Sequence, residues 1–506
     1  MESETCLGPA AGLPAVGRGE LTSRVALQDR HISISLSLES DLLARQTHML
    51  SFFEDQPILQ LERPPFNAYK KWLLMLPCLF FVARGNFSFL MNQSANGSAG
   101  GSLVDPSTTR NLGVLGYGVF PLIAYSIVCI LILFKIQSVI SMARQRAMLT
   151  AIAGVTILSA AWSQTPFRSF YNGMFYLIGT AFVYYLVSSL TAEEIMELVI
   201  RLGVVVCLLS AVTVLLFPKH GVDVSAPRTA GAWMGIFQDR VTSAKCSVYL
   251  LSPALIFGPW RRRWLMLAYI AAMLAFIVEA KAVSSLFVTV VFVSFMIVLH
   301  VGRRLERRTA LFLGAIFTFA LLVVSMFVSL HFASILEMFG RDPTLTGRTE
   351  IWSYLFTSIA KRPLLGYGYY AFWQGMTGES ANVIMAAHWF FGYAHNGLLE
   401  IVLQIGVLGA GLFLLTFVKA CRDAWFCFKF GRSYGVEWYS GLLLLAVIYN
   451  IDEETLLWPN DFLSMLYIVA CCGLAVEAQR IRETQSTQIE IEQDISFERS
   501  MEPTLA

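Results

Sequence analysis

Between residues 69 and 476 the chain returns to an apolar run again and again. Twelve runs stand out at about 20 residues per membrane crossing: 69–91, 113–134, 148–163, 169–190, 195–217, 243–259, 263–280, 282–300, 309–331, 391–418, 437–451 and 461–476. Some are short, 148–163 and 437–451 among them. Such a chain cannot close one water-soluble core, because soluble chains of 506 residues split into domains and keep polar surfaces. Charge points the same way. Only 14% of the residues are charged, where a soluble domain carries about 25%. The pattern excludes a disordered protein, a coiled coil and an ordinary cytosolic enzyme. It predicts an all-α polytopic membrane protein with about twelve transmembrane helices, since a helix satisfies its own backbone groups in lipid. The net charge of +2 gives no basis for a nucleic-acid partner.

The two ends differ from the middle. Residues 1–68 are polar and contain Pro and Gly, and no run in them is long enough to span. They read as an N-terminal cytoplasmic tail, mostly disordered. No signal peptide is expected, because no basic flank precedes a short apolar run with a small-residue cleavage site. Residues 477–506, rich in Glu, Gln, Arg and Ser, read as a C-terminal cytoplasmic tail. Between them, 69–331 holds helices one to nine, 332–390 is one large loop, and 391–476 holds helices ten to twelve. The nine cysteines lie mostly in apolar runs and form no C-x-x-C pair, so inert thiols are expected.

Lys and Arg set the orientation. With the N-terminus inside, the even-numbered loops are cytoplasmic, and they carry Lys135, Arg144 and Arg146; Arg261, Arg262 and Arg263; Arg303, Arg304, Arg307 and Arg308; and Lys419, Arg422, Lys429 and Arg432. The acidic loop at 191–194 is the exception. Both termini are therefore expected in the cytoplasm. Two outer loops break the rule in the other direction. Segment 218–242 carries Lys219, Arg228 and Arg240, and the large loop carries Arg341, Arg348, Lys361 and Arg362. Cations placed against topology either have another task or sit in loops long enough to escape the rule.

In the large loop, Gly340-Arg341-Asp342-Pro343-Thr344-Leu345-Thr346-Gly347-Arg348-Thr349-Glu350 precedes apolar residues at Ile351, Leu355, Phe356 and Ile359. That spacing predicts a helix capped by Thr346 or Gly347 and ended by Pro363 and Gly366-Tyr367-Gly368. Arg348 then stands in the first turn beside free N–H groups, an arrangement that suits a phosphate. The alternative is an ion pair with Asp342 or Glu350. His395-Asn396-Gly397 follows at the outer mouth of the tenth span, with Gly406 and Gly409 beyond it in a close-packing pattern. His395 is either a hydrogen-bonded structural residue or a proton acceptor near neutral pH. Gly231-Ala232-Trp233-Met234-Gly235-Ile236-Phe237 precedes Arg240 and suits close backbone packing or sugar stacking. Asn450-Ile451-Asp452-Glu453-Glu454 adds carboxylates that either bond sugar hydroxyls or are solvated. No P-loop, G-x-G-x-x-G or H-E-x-x-H is present, and no D-x-D pair lies in the outer loops.

These residues resemble the O-antigen ligase and polymerase family of bacterial envelope glycosyltransferases, over roughly 145–475. Gly340-Arg341-Asp342-x-Thr344-Leu345-Thr346-Gly347-Arg348-Thr349-x-Ile351-Trp352 is similar to the loop motif of the family's exopolysaccharide polymerases. His395-Asn396, nine residues, then Gly406-x-x-Gly409 is similar to the family's H-[NSQ]-x9-G-x-x-G signature, and Ser159-x-x-Trp162-Ser163-x-x-Pro166 is a third element. Two elements depart. Where the family has G-x-F-x-x-K-N, Gly235-x-Phe237 leads to Arg240-Val241, which keeps the cation and loses the Asn. The family's N-x-[ST]-E-S appears as Asn450-x-Asp452-Glu453-Glu454.

The resemblance implies a membrane fold of the broad GT-C type in the bacterial inner membrane, with 332–390 in the periplasm. It implies a glycan donor and acceptor linked to undecaprenyl diphosphate and a metal-independent glycosyl transfer that needs no cofactor. His395 and Arg348 would be catalytic, and Arg341, Arg240, Arg228, Asn396 and Glu453 would bind substrate. A chain-length-regulating copolymerase and an export complex are the implied partners, besides membrane lipids. The loop motif favours a polymerase of repeat units. A ligase that transfers finished glycan to lipid A–core differs only in the acceptor. A flippase or other transporter would instead show charged or broken helices near the midplane and two related halves.

Overall fold

The computed structural model describes residues 68–83, 120–319 apart from short gaps at 225–228, 259–262, 307, 310–311, 315 and 318, and 348–501 apart from 389–390 and 432. The N-terminal tail to residue 67, Arg228, Arg341 and residues 320–347 lie outside the described residues.

The chain is mostly helical. The first described helices are α1 (Ala68–Val82), α2 (Phe120–Phe134), α3 (Ile136–Gln145) and α4 (Ala147–Leu158). Next come α5 (Pro166–Ser189), α6 (Ala192–Leu216), α7 (Arg240–Leu251), α8 (Arg263–Glu279) and α9 (Val283–Arg304). The loop helices are α10 (Arg348–Lys361) and α11 (Gly378–Ala387). The last three are α12 (Gly397–Phe430), α13 (Tyr434–Asp452) and α14 (Phe462–Met501). Between α6 and α7 a two-stranded antiparallel ribbon pairs β1 (Val222–Asp223) with β2 (Ala232–Trp233).

Five described helices, within α5, α6, α9, α12 and α14, are long and apolar enough to cross a membrane. The count is six if α2 and α3 are one span bent by 85°. Several of the remaining apolar runs form shorter helices, such as the 12 residues of α4 and of α7. Leu133, Phe134, Leu215, Leu216, Leu267 and Val290 are exposed on the helix surfaces, as a lipid-facing rim requires. The chain is a multi-pass membrane protein.

Local sequence explains the ends of the helices. Pro166 starts α5, where a missing N–H costs nothing. Thr191 and Glu194 cap α6 reciprocally, the Thr191 hydroxyl accepting from Glu194 N at 3.3 Å and Thr191 N donating to Glu194 Oε2 at 2.9 Å. The acidic exception to the charge rule at 191–194 is thus a helix start. The last helix does not stop where its apolar run ends. It continues through Glu477, Arg480 and Glu483 to Met501 as one helix of 40 residues.

The helix that carries the Gly406 motif is broken. Gly406 has φ 70° and ψ −176°, a conformation open in practice to Gly alone. The break leaves backbone groups without intrahelical partners, and the segment 363–368 takes their place. Val407 N donates to Pro363 O (2.8 Å) and Leu408 N to Leu364 O (3.3 Å). Tyr367 N donates to Leu403 O (2.8 Å) and Gly368 N to Gln404 O (3.0 Å). The same segment is held from behind by the turn before α5. Trp162 Nε1 donates to Leu365 O (2.9 Å), Tyr369 N to Ser159 Oγ (2.9 Å) and Gln164 N to Tyr367 O (3.2 Å). The Ser159-x-x-Trp162-Ser163 element is therefore a clasp on the loop.

A Cβ at Gly406 would run into the Leu364 carbonyl, whereas one at Gly411 would meet open space. Gly406→Ala is expected to lower thermal stability by roughly 1–3 kcal/mol or more. Gly411→Ala should be neutral or stabilising. Unfolding temperatures of the two purified variants check this.

Candidate functional site

The described part of the large loop, 348–388, packs as a small unit on the first turns of α12. Ile351 and Leu355 of α10, Tyr367 and Phe372 of the connection, Val383 and Ile384 of α11, and Leu403 of α12 form one buried cluster. The predicted helical spacing places Ile351 and Leu355 in that cluster, while Phe356 faces outward. Lys361 clamps the far end of α10 to α11 through an ion pair with Glu379 at 2.5 Å, and Ser358 Oγ donates to the same carboxylate at 2.9 Å.

Arg348 is the first residue of α10. Glu350, an alternative ion-pair partner in the sequence, accepts a bond from the Tyr354 hydroxyl at 3.1 Å. One turn after Arg348, Trp352 Nε1 donates to Ala394 O at 2.9 Å. Ala394 directly precedes His395. Four helical residues rise about 6 Å, so the start of α10 and the histidine belong to one neighbourhood.

His395 is half-buried, holds φ 50°, and lies 4.0 Å from the Tyr393 ring, centroid to centroid. A left-handed non-Gly residue persists only where its surroundings hold it. Three ties do so here. Trp352 holds the Ala394 carbonyl, and Glu400 Oε2 accepts from Ala394 N at 2.9 Å. Asn396 caps α12, its Oδ1 accepting from Leu399 N at 3.0 Å.

Asn396 Nδ2 donates to Ile451 O at 3.2 Å, which joins the His395 turn to the end of α13. Two residues beyond Ile451, Glu453 forms a buried ion pair with Lys245 of α7 at 3.3 Å. Arg240 is the first residue of α7, after the N-cap Asp239. Its guanidinium lies 3.6 Å from Asp223 of β1 and donates to Lys281 O at 2.9 Å. Lys281 Nζ in turn donates to Ala230 O at 2.8 Å. A continuous chain of contacts thus connects the neighbourhoods of Arg348, His395, Asn396, Glu453 and Arg240. Asn396 is committed to the cap and the clasp, Glu453 to Lys245, and Arg240 to the ribbon. Arg228 and Arg341 lie outside the described residues.

Several residues that build the site were not singled out in the sequence. Glu400 is 2% exposed, accepts both Trp373 Nε1 (3.0 Å to each oxygen) and Gln404 Nε2 (2.8 Å), and holds Ala394 N. It ties the loop, α12 and the His395 turn together. Lys245 is 3% exposed. The available signal for both was an ionisable residue inside an apolar run, which marks a functional position in a membrane protein. Among the described residues no group of three or more His, Cys, Asp or Glu could hold a metal ion.

Residues 268–414 match the O-antigen ligase family model. The matched stretch carries the loop and His395 motifs that resemble this family. It contains the whole loop, Arg348, His395, Asn396 and the break at Gly406, whereas Arg240, Lys245 and Glu453 lie outside it. The chain is 34% identical over 116 residues to the exopolysaccharide production protein ExoQ of Rhizobium meliloti (strain 1021). That match covers 22% of this chain and 26% of the relative. It is 32% identical over 85 residues to a Rickettsia prowazekii (strain Madrid E) protein provisionally named a polysaccharide ligase, covering 16% of this chain and 21% of that one. The chain thus matches about a quarter of the length of these relatives.

The Lys361–Glu379 clamp makes the loop sensitive to acid. Burial raises the Glu379 pKa, but bonds from Lys361 and Ser358, the Lys361 charge and a bond from Asn382 outweigh it, and the pKa falls below the ordinary carboxylate value. A depressed folded pKa contributes stability that is present above about pH 4.5. That stability is lost as pH falls through the folded value. Protection of α10 and α11 amides from hydrogen exchange should therefore drop below about pH 4.5 in the wild type. In Glu379→Gln the protection should be lower at neutral pH and flat across the same range.

Proposed function

We propose that the chain is an inner-membrane glycosyltransferase of GT-C-like architecture that polymerises oligosaccharide repeat units linked to undecaprenyl diphosphate. The reading takes about twelve spans, both termini in the cytoplasm and 332–390 in the periplasm. The observation that carries it is the Trp352–Ala394 bond, which keeps the first turn of α10 beside the His395 turn. A helix start with an arginine offers free N–H groups and a guanidinium to a diphosphate. A histidine next to it can take a proton.

In this reading the C–O bond from the donor sugar to the diphosphate breaks as the acceptor hydroxyl forms a new glycosidic bond. Negative charge gathers on the leaving diphosphate. Arg348 and the α10 amides stabilise it, with Arg341, Arg240 and Arg228 as further cations. His395 accepts the proton of the attacking hydroxyl. Asn396 and Glu453 hold the turn and the outer end of α13 where the acceptor sugar would sit. No metal or other cofactor has a role in this reading.

Transfer to lipid A–core is the second reading, favoured by the description of the matched family and by the Rickettsia relative. A transporter also uses broken helices and intramembrane charges. In this chain the break at Gly406 is plugged by backbone from 363–368, and Glu400 and Lys245 are engaged in side-chain bonds. These features suit a fixed site better than a moving gate. A copolymerase that sets chain length and an export complex fit the polymerase reading.

Purified protein with lipid-linked repeat units tests the reading. Arg348→Lys is expected to lose most polymer formation although charge is retained, because lysine lacks the planar two-pronged donor. Wild-type polymer yield from Arg348→Ala at equal protein level would remove the assignment. Product on added lipid A–core instead of polymer would favour the ligase reading.

A second comparison concerns the base. His395→Ala should slow transfer by about 10²–10⁴-fold at saturating donor while donor still binds. His395→Gln keeps a hydrogen bond and should be equally slow. A normal rate per folded molecule in the Gln variant would make His395 a structural residue.

A further inference from the structure

At the opposite end of α12 from His395, the chain has a second polar feature that the transfer reaction does not use. A crevice, partly open to the surroundings, lies where the start of α4 meets α12 and α14. Arg146, Leu149, Lys419, Asp423, Cys471 and Ala475 are among its walls. Its one acid is already engaged, because Asp423 pairs with Arg482 at 3.5 Å. Its two cations are not. Arg146 and Lys419 are half-buried, and neither forms an ion pair among the described residues. Arg146 Nε is buried without a hydrogen-bond partner. Two partly desolvated cations facing one crevice are costly unless an anion joins them.

The position of the crevice selects the anion. Helix α3 turns by 85° from α2, with Val139 and Met142 buried and Arg144 and Gln145 exposed, as a helix lying along a membrane surface would be. Arg146 follows it directly. On α14 the crevice residue Ala475 marks the end of the apolar run, just before Glu477, Arg480 and Arg482. The crevice therefore sits at headgroup depth. Beside its cations, Met148, Leu415 and Val418 are exposed apolar side chains on which acyl chains can lie.

We propose that this crevice is a binding site for the phosphate of an anionic phospholipid. Arg146 and Lys419 take the headgroup, and the apolar faces of α4 and α12 take the chains. Basic pockets between membrane helices on the basic side of a bundle recognise lipids in this way. The site is independent of the glycosyl-transfer reading.

Native mass spectrometry of the full-length protein in detergent, with phosphatidylglycerol or phosphatidylcholine added, tests it. The wild type should retain phosphatidylglycerol in preference to phosphatidylcholine, whose choline cancels the phosphate charge. The double variant Arg146→Gln, Lys419→Gln should weaken phosphatidylglycerol retention on the order of tenfold. Arg422→Ala, an exposed cation on the same helix, should leave it unchanged. If the double variant does not fold, Lys419→Gln alone should lose about threefold. Equal retention in wild type and the folded variant, or equal retention of the two lipids, would overturn the proposal. Displacement of the lipid by millimolar inorganic phosphate would do so too, because it would indicate a free-anion site.

Discussion

The structure turns on the break in α12. A helix in lipid must satisfy its own backbone, and Gly406 gives up that closure at the level of the loop. Backbone of residues 363–368 supplies the missing partners, so the loop becomes part of the helix it interrupts. The clasp from Trp162 and Ser159 then fixes the loop from the other side. The loop is thereby locked to the bundle through residues 363–368. Everything at its two ends, the start of α10 and the His395 turn, inherits that position.

Buried charge is the second constraint. Glu400 and Lys245 are both taken out of water, a large cost unless partners are exact in place. Glu400 meets it with bonds from Trp373, Gln404 and Ala394 N. Lys245 meets it with Glu453. The Trp373 bond and the ion pair also join segments far apart in the chain. Glu400 connects α12 with the loop, and the ion pair connects α7 with the turn after α13. The same groups that are expensive to bury are the ones that hold the site in shape.

Sequence made part of this visible. Apolar runs coincide with most of the described helices, and the spacing of Ile351 and Leu355 gave α10 its buried face. The charge rule flagged Arg240, and the motifs pointed to the loop and to His395. The Gly406-x-x-Gly409 pattern read as close packing, and one of its glycines proves to be a break. That distinction was hidden because it depends on Pro363 and Leu364, some forty residues upstream. The Lys245–Glu453 pair spans 208 residues and has no local period. Glu400 lies in an apolar run, and its bond from Trp373 comes from 27 residues upstream. Long-range partners decide these three features, and a single sequence does not name them.

The last helix has a mechanical meaning. From Phe462 to Met501 it is one hydrogen-bonded rod, and 40 residues at about 1.5 Å each give a length near 60 Å. Bonds such as Gln479 to Glu483 and Arg480 to Glu477 support its polar half, and Arg482 ties it to Asp423 of α12. Residues near Gln493 are therefore held at a set height and a set azimuth from the bundle, not on a tether. Removing one residue from the rod would lower them by only about 1.5 Å, yet would swing them about 100° around its axis.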